Sequence, residues 1–294
     1  MLKPPIQPML LSSKKKPFNS SEYIFEIKWD GYRCLAFIEN RNVFLQSRNK
    51  KDLTQYFPEL IEISKYIKCS RIILDGEICY INKEGKPVFE VLQGRIGSSK
   101  NKQHINYPVS LIVWDILSYN NKDVYNMPLL KRRKILKKYV TANHSLQISS
   151  YIKTKGIELF KKVKKNGLEG ITAKKISSPY QFKRSKFWYK IKVWNYTEAY
   201  IFGFTKNYSL IVGKKDENNN FINMGRVKSA VNKNMKEALF RYLPEIITVN
   251  SHYSKNSSAK DINWVKPVIK CEIRYTEITR HNTFRHGFIT KVVL

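Results

Sequence analysis

The feature that most constrains this fold is a period-two alternation beginning at Tyr23. Tyr23, Phe25 and Ile27 fall on one side of an extended segment, and Ile24, Glu26 and Lys28 on the other. Asp30-Gly31 is a turn signal, and 33–39 and 43–48 read as the next strands. A strand over 71–81 is expected to break at Asp75-Gly76, and the Val, Leu and Ile run of 109–117 predicts a buried strand. Helices are expected over 54–67, where Phe57, Leu60, Ile61 and Ser64 recur at helical spacing and Pro58 sits in the first turn. Others are expected over 89–96 and, basic and amphipathic, over 128–140 and 155–165. Residues 171–174 and 188–193 close this portion as strands. Before it, Pro4, Pro5, Pro8 and Pro17 keep residues 2–21 extended.

After Trp194 the character changes. Short strands are expected over 197–205, 209–214, 221–227 and 265–275 and at the C-terminus, with one helix over 233–242 and a polar loop over 250–260. Five strands and one helix suit a small β-barrel. A length of 294 residues exceeds what one small core usually needs. The chain therefore divides into domains 1–194 and 195–294, with no internal repeat.

Charge narrows the function. Fifty-four Lys and Arg against 23 Asp and Glu leave a net charge of +31, a field that attracts polyanions and releases counterions when phosphates dock. Cys34, Cys69, Cys79 and Cys271 match no zinc or disulfide framework and read as reduced thiols. No signal peptide and no apolar run of membrane-spanning length is visible. A cytoplasmic, nucleoid-associated monomer is expected.

The sharpest local signal is Lys28-Trp29-Asp30-Gly31-Tyr32-Arg33, a lysine at a strand end followed by a tight turn. Such a lysine suits a nucleophile if neighbouring cations lower its pKa and free its lone pair. Carboxylates recur at Asp75-Gly76-Glu77 and at Glu169, and lysines at Lys174, Lys190 and Lys192, the last two on one strand face. Two carboxylates can hold Mg²⁺, and lysines can neutralise a triphosphate.

In this order the pieces resemble the covalent nucleotidyltransferase superfamily of DNA ligases, RNA ligases and capping enzymes. Lys28 to Arg33, Ser47-Arg48-Asn49, Asp75-Gly76-Glu77, Val113-Trp114-Asp115, Glu169 to Lys174 and Trp188 to Lys192 correspond to six motifs in the family's order. Phe89 to Arg95, Pro128 to Arg133, Ser178-Pro179-Tyr180 with Arg184, Gly225-Arg226-Val227 and Thr283 to His286 resemble ATP-dependent DNA ligases, especially the ligase module of the end-joining ligase D family. The resemblance implies an α+β chain: a mixed-sheet nucleotidyltransferase (adenylation) domain followed by an OB-fold β-barrel. It implies ATP as AMP donor, Mg²⁺ or Mn²⁺, nicked double-stranded DNA as substrate and a Ku-like end-binding partner.

The same resemblance assigns roles. Lys28 would take AMP as a phosphoramidate, and Arg33 would contact ribose or the nick. Arg48 would meet AMP or the DNA 5′-phosphate. Glu77 would hold ribose and assist a metal whose main ligand is Glu169. Trp114 would stack on adenine, unless it is simply a core aromatic. Glu26 would read the adenine amino group. Lys174, Lys190, Lys192 and Arg184 would meet phosphates, and Arg226 and Arg285 would touch DNA. Two departures stand out: Lys183 replaces a common glycine, and the C-terminal 288–294 lacks the aspartate of a basic R-x-D-K run, with Lys291 as a partial stand-in. Self-adenylation is therefore expected to be slow. The rival readings are a catalytically weak nucleic-acid-binding protein on this scaffold and an RNA ligase.

Affinity for nicked DNA is expected to fall with a log–log salt slope of roughly −0.9 per phosphate neutralised, several in total. Filter binding between low and moderate salt measures it, and a flat response contradicts it.

Overall fold

Alternating strands of the first portion build two sheets that share one buried core. The computed structural model describes residues 2–97, 107–248 and 261–293, and the loop expected over 250–260 lies outside them. Two units separate, Met1–Val193 and Trp194–Leu294.

The first unit holds β1 (Leu10–Ser13), β2 (Ser20–Ile27), β3 (Tyr32–Glu39), β4 (Asn42–Ser47), β5 (Arg71–Tyr80) and β6 (Val109–Tyr119). Then come β7 (Lys122–Asp123), β8 (Leu146–Ile148), β9 (Ile152–Thr154), β10 (Gly170–Lys175) and β11 (Arg184–Lys192). Its helices are α1 (Phe89–Gly97), α2 (Leu129–Tyr139) and α3 (Gly156–Lys165). One sheet runs β1-β11-β10-β2-β9 and the other β4-β3-β5-β6-β7, with β8 beside β6. Both are mixed, because β1–β11 and β6–β8 pair parallel.

Alternation sorts the side chains. Ile24 and Trp188 from the first sheet meet Leu35, Phe37, Ile73 and Trp114 from the second in the core between them. Phe25, Ile171, Ala173 and Ile191 turn the other way, onto Val163 of α3. Cys34, Ala36, Ile38 and Leu74 face the far side of the second sheet, with Leu136 of α2.

Three expectations need correction. Residues 54–67 form two 3₁₀ segments, Thr54–Tyr56 and Pro58–Tyr66. Phe57, Leu60 and Ile63 are buried whereas Ile61 is exposed, which is the period of three that a 3₁₀ helix imposes. Asp75-Gly76 does not break β5. Gly76 pairs with Val113 and Asp75 with Asp115, so Trp114 is the extra residue of a bulge in β6. The strand expected over 265–275 begins only at Lys270, because a turn occupies 267–268, and a separate short strand, Ile262–Trp264, precedes it.

That second unit contains β12 (Asn195–Thr205), β13 (Leu210–Lys215), β14 (Phe221–Ser229), β15 (Ile262–Trp264) and β16 (Lys270–Tyr275). It ends with β17 (Glu277–Ile278), β18 (Phe284–Arg285) and β19 (Phe288–Val293). The order β13-β14-β19-β16-β12 closes on itself because β12 also pairs with β13. Helix α4 (Lys233–Tyr242) leaves the third barrel strand, capped by the Asn232 side chain accepting from the Met235 N–H at 2.8 Å. With β14 and β19 parallel, this is the OB topology.

Helix α2 is fastened to β6 by charge. Arg132 donates to both Asp115 oxygens at 2.8 Å, and both side chains are fully buried. Removing one partner strands the other in a low-dielectric interior. Asp115→Ala is expected to lower the stability of the first unit by about 3–5 kcal/mol in urea unfolding; a loss under about 1 kcal/mol would show that the pair does not hold the helix.

Candidate active site

The inward face of the first sheet carries three rows of side chains: Trp188, Lys190 and Lys192 on β11, Gly170, Thr172 and Lys174 on β10, and Ile24, Glu26 and Lys28 from β2. Thr172 lies at the centre, opposite Lys190 on one side and Glu26 on the other. The Lys28 N–H donates to the Gly170 carbonyl at 2.9 Å, which extends the pairing one residue past β2. Close approach of backbone makes two glycines obligatory. A Cβ at Gly31 would lie 2.1 Å from the Ile78 carbonyl oxygen, and Gly170, at φ +151°, would place one 2.3 Å from that of Ile191.

Facing this grid, Arg33, Glu77 and Trp114 of the second sheet complete a cavity of about 970 Å³. Glu26, Lys28, Arg33, Arg48, Glu77, Trp114, Lys174, Arg184 and Lys190 all line it. The alternation at 23–28 thus delivers Glu26 and Lys28 to the same space. Glu169 and Lys192 are joined to the site through Lys28: its Nζ donates to Glu169 Oε2, and Lys192 pairs with Glu169 Oε1 at 2.7 Å.

The electrostatics reverse one expectation. Burial works against the Lys28 ammonium, but Glu169 and then Glu77 outweigh it, and the pKa is raised. Lys192 does not free its lone pair, because the Glu169 carboxylate bridges the two ammonium groups. Lys28 is protonated at rest. The two carboxylates are driven apart: Lys28 and Lys192 overcome burial to hold Glu169 at about 2, whereas burial dominates at Glu77 and pushes it up to about 7.

Other expected ligand contacts are already engaged. The Arg33 guanidinium donates to both Asp75 oxygens at 2.6 Å and to the Met9 carbonyl at 3.1 Å. Asp75 holds it in place where it lines the cavity, since a guanidinium this buried needs a counter-charge. Trp114, only 7% exposed, donates to Asp75 at 3.3 Å, and Arg33 and Lys174 sit 4.6 and 4.5 Å from its ring centroid. It is a core aromatic as much as a wall of the cavity. The Glu26 oxygens meet Arg133 at 2.6 Å and Lys174 at 2.5 Å. Burial holds Lys174 down to about 8 despite Glu26. Arg184 donates to the Leu11 carbonyl.

Lys190 and exposed Arg48 have no ion pair among the described residues, and both face the cavity. Burial first, then Lys192, Lys28 and Arg184, lowers the Lys190 pKa. These two are the cations most available to an incoming phosphate. In the second unit Arg226 is exposed on β14, whereas Arg285 pairs with Glu277 at 2.6 Å. No cluster of three or more His, Cys, Asp and Glu occurs among the described residues. Glu77 and Glu169, both coupled to Lys28, are the donors that fit a hard divalent cation completed by phosphate oxygens and water.

Sequence reasoning assigned no site role to Asp75, Tyr180, Arg133 or Thr172. Asp75 gathers Arg33, Trp114 and the Tyr180 hydroxyl, which donates to it at 2.9 Å. Arg133 holds Glu26. Thr172 has a buried hydroxyl without a hydrogen-bond partner. One signal was available: Leu129, Arg132, Arg133 and Leu136 form the buried stripe of α2, so two arginines occupy positions a helix gives to its core.

Comparison with known proteins agrees with this geometry. The model of the ATP dependent DNA ligase domain matches residues 8–192, and that of the ATP dependent DNA ligase C terminal region matches 205–292. The two sheets with their cavity are a nucleotidyltransferase domain and the barrel an OB-fold domain. The chain belongs to the ATP-dependent DNA ligase family. It is 33% identical over 202 residues to the SPbeta prophage-derived DNA ligase-like protein LigB of Bacillus subtilis, covering 68% of this chain and 72% of that one. It is 27% identical over 296 residues to the multifunctional non-homologous end joining protein LigD of Pseudomonas aeruginosa, covering 96% of this chain but only 34% of that one. A mycobacterial DNA ligase D structure complexed with ATP and MES superposes with a TM-score of 0.59 at 26% identity, covering 98% of this chain and 95% of that one. No helix among the described residues is long and apolar enough to cross a membrane.

Because the folded pKa of Glu77 is raised from 4.5 to about 7, its contribution to stability is complete below 4.5 and is lost as pH rises through 7. Glu77→Gln, which mimics the protonated carboxyl, is expected to gain on the wild type by on the order of 2 kcal/mol between pH 4.5 and 8. Thermal melts across that range read the gap; a constant difference would place Glu77 in an ordinary aqueous setting.

Proposed function

We propose that this chain is an ATP-dependent DNA ligase that seals 5′-phosphate/3′-hydroxyl nicks through a covalent lysyl-AMP at Lys28. The observation that carries the reading is the position of Lys28 in a large cavity, between two carboxylates and beside cations with no carboxylate partner. Neutral Nζ attacks the α-phosphorus of ATP, a P–N bond forms and pyrophosphate leaves. The nick 5′-phosphate then attacks the same phosphorus and releases the lysine. Finally the 3′-hydroxyl attacks the 5′-phosphorus and AMP departs. Positioning and charge neutralisation carry most of the rate in such transfers.

Lys28 must first lose the proton that Glu169 stabilises, and that proton passes to water. Mg²⁺ or Mn²⁺, when bound by Glu169 and Glu77, would neutralise triphosphate charge and engage the carboxylate that otherwise holds the ammonium. Lys190 and Arg48 receive phosphate oxygens. The likeness to LigD supports a role in DNA repair and recombination by end joining in the cytoplasm, at the nucleoid, beside a Ku-like end-binding protein. Arg226 and Arg285 contribute to the grip on nicked duplex DNA.

Incubated with α-labelled ATP and Mg²⁺, the wild type is expected to acquire an acid-labile adenylate and Lys28→Ala none, with nick sealing reduced by about a thousandfold or more. An unlabelled wild type, or label retained by Lys28→Ala, overturns the reading.

A further inference from the structure

Beneath the nucleotide cavity, α2 presents two adjacent buried arginines with different consequences. Arg132 spends its donors on Asp115 and on backbone carbonyls of Met127 and Ser178, none of which lines the cavity. Arg133 instead reaches into the grid. Its NH1 donates to Glu26 Oε1 at 2.6 Å and to the Trp114 carbonyl at 2.9 Å, its NH2 donates to the Ser149 carbonyl, and its guanidinium lies 4.9 Å from the Tyr151 ring centroid. The other Glu26 oxygen holds Lys174 Nζ at 2.5 Å. That ammonium sits 4.5 and 4.6 Å from the ring centroids of Trp114 and Trp188. Glu26 and Lys174 line the cavity; Arg133 does not.

We propose that Arg133 is a positioning residue for the nucleotide: by clamping Glu26 it fixes the Glu26–Lys174 pair in the cavity, and so sets the affinity for ATP. The inference rests on the ligase reading given above. A glutamate side chain on a strand has several rotamers, and a lysine has more. Here one carboxylate oxygen is fixed by a planar guanidinium that is itself tied to two carbonyls on separate segments. The second oxygen then has one place to be, and Lys174 is drawn to it. Arg133 acts through Glu26 and does not itself line the cavity.

The charges around Lys174 supply a readout that a purely structural role would leave unmoved. Its ammonium is faced by Glu26 from β2, Arg133 from α2 and Asp115 from β6, with Arg33 on the same Trp114 ring. Burial holds its pKa at about 8; Glu26 and Asp115 raise it and Arg133 lowers it. A charged Lys174 assists an anionic nucleotide, so wild-type affinity is expected to fall as pH rises through about 8.

Single-turnover adenylation with α-labelled ATP, followed over ATP concentration and pH, tests the inference. Arg133→Gln is expected to raise the apparent Kd for ATP about tenfold with the maximal rate within about threefold, and to move the alkaline loss of affinity to higher pH. Glu26→Gln moves that loss to lower pH, and Arg133→Lys recovers part of the affinity. Because Arg133 acts through Glu26, the double variant weakens binding no more than the worse single one. The inference is overturned if Kd is unchanged in Arg133→Gln, if the two substitutions add fully, or if only the maximal rate falls at every pH with no shift, as expected of a damaged fold. A wild type that never becomes labelled removes the ligase reading instead, and this inference with it.

Discussion

Charge neutralisation inside a dry space governs this molecule. Besides Glu77, which burial pushes toward its neutral form, four carboxylates among the described residues of the first unit are shielded by its strands and helices: Glu26, Asp75, Asp115 and Glu169. Each is met by at least one arginine or lysine. An unmatched charge in such a place costs several kcal/mol, so each carboxylate dictates where its partner can stand. Asp75 holds Arg33, Asp115 holds α2 through Arg132, Glu26 collects Arg133 and Lys174, and Glu169 bridges Lys28 and Lys192. The sheets supply hydrophobic cohesion, while these pairs select one arrangement of the polar face.

That requirement also sets the resting chemistry. A protein with more than twice as many cations as anions would be expected to hold its reactive lysine among positive charges. At Lys28 itself, however, Glu169 and Glu77 prevail, and it is kept as an ammonium. On the proposed function, the nucleophile is therefore stored in an unreactive form, and whatever neutralises Glu169 controls its release. Lys190 and Arg48, left without such partners, are the cations the proposed function gives to phosphates. The surplus elsewhere on the chain serves attraction of a polyanion at longer range.

Much of this was legible beforehand where the signal was local. The alternation at Tyr23–Lys28 and at Trp188–Lys192 reports which side chains share a face, because a strand has a period of two regardless of context. Helix α4 and the change of character after Trp194 are likewise local, whereas Asp30-Gly31 signals a tight turn and the chain makes only a bend at Gly31 as it crosses from one sheet to the other. Less legible was 54–67, where i+3 and i+4 spacings look alike in a short stretch and only the buried side chains distinguish a 3₁₀ coil. The bulge at Trp114 was read as a break at Asp75-Gly76, since a register slip belongs to a pair of strands and neither one alone reveals it. The strands β8 and β9, three residues each, owe their form to the neighbours they pair with.

Sequence by itself therefore determined most of the longer elements, the division into a two-sheet unit and a barrel, and the placing of Glu26 with Lys28 and of Lys190 with Lys192 on one strand face, all of which follow from the backbone period and the order of motifs. Only the tertiary structure decided which charge meets which. The pairing of Arg33 with Asp75, of Lys28 with Glu169, and of Arg133 with a glutamate 107 residues away depends on strand register and on which groups are excluded from water. Coulombic interactions strengthen steeply as solvent is removed, and that removal is a property of the packed sheets, not of any segment.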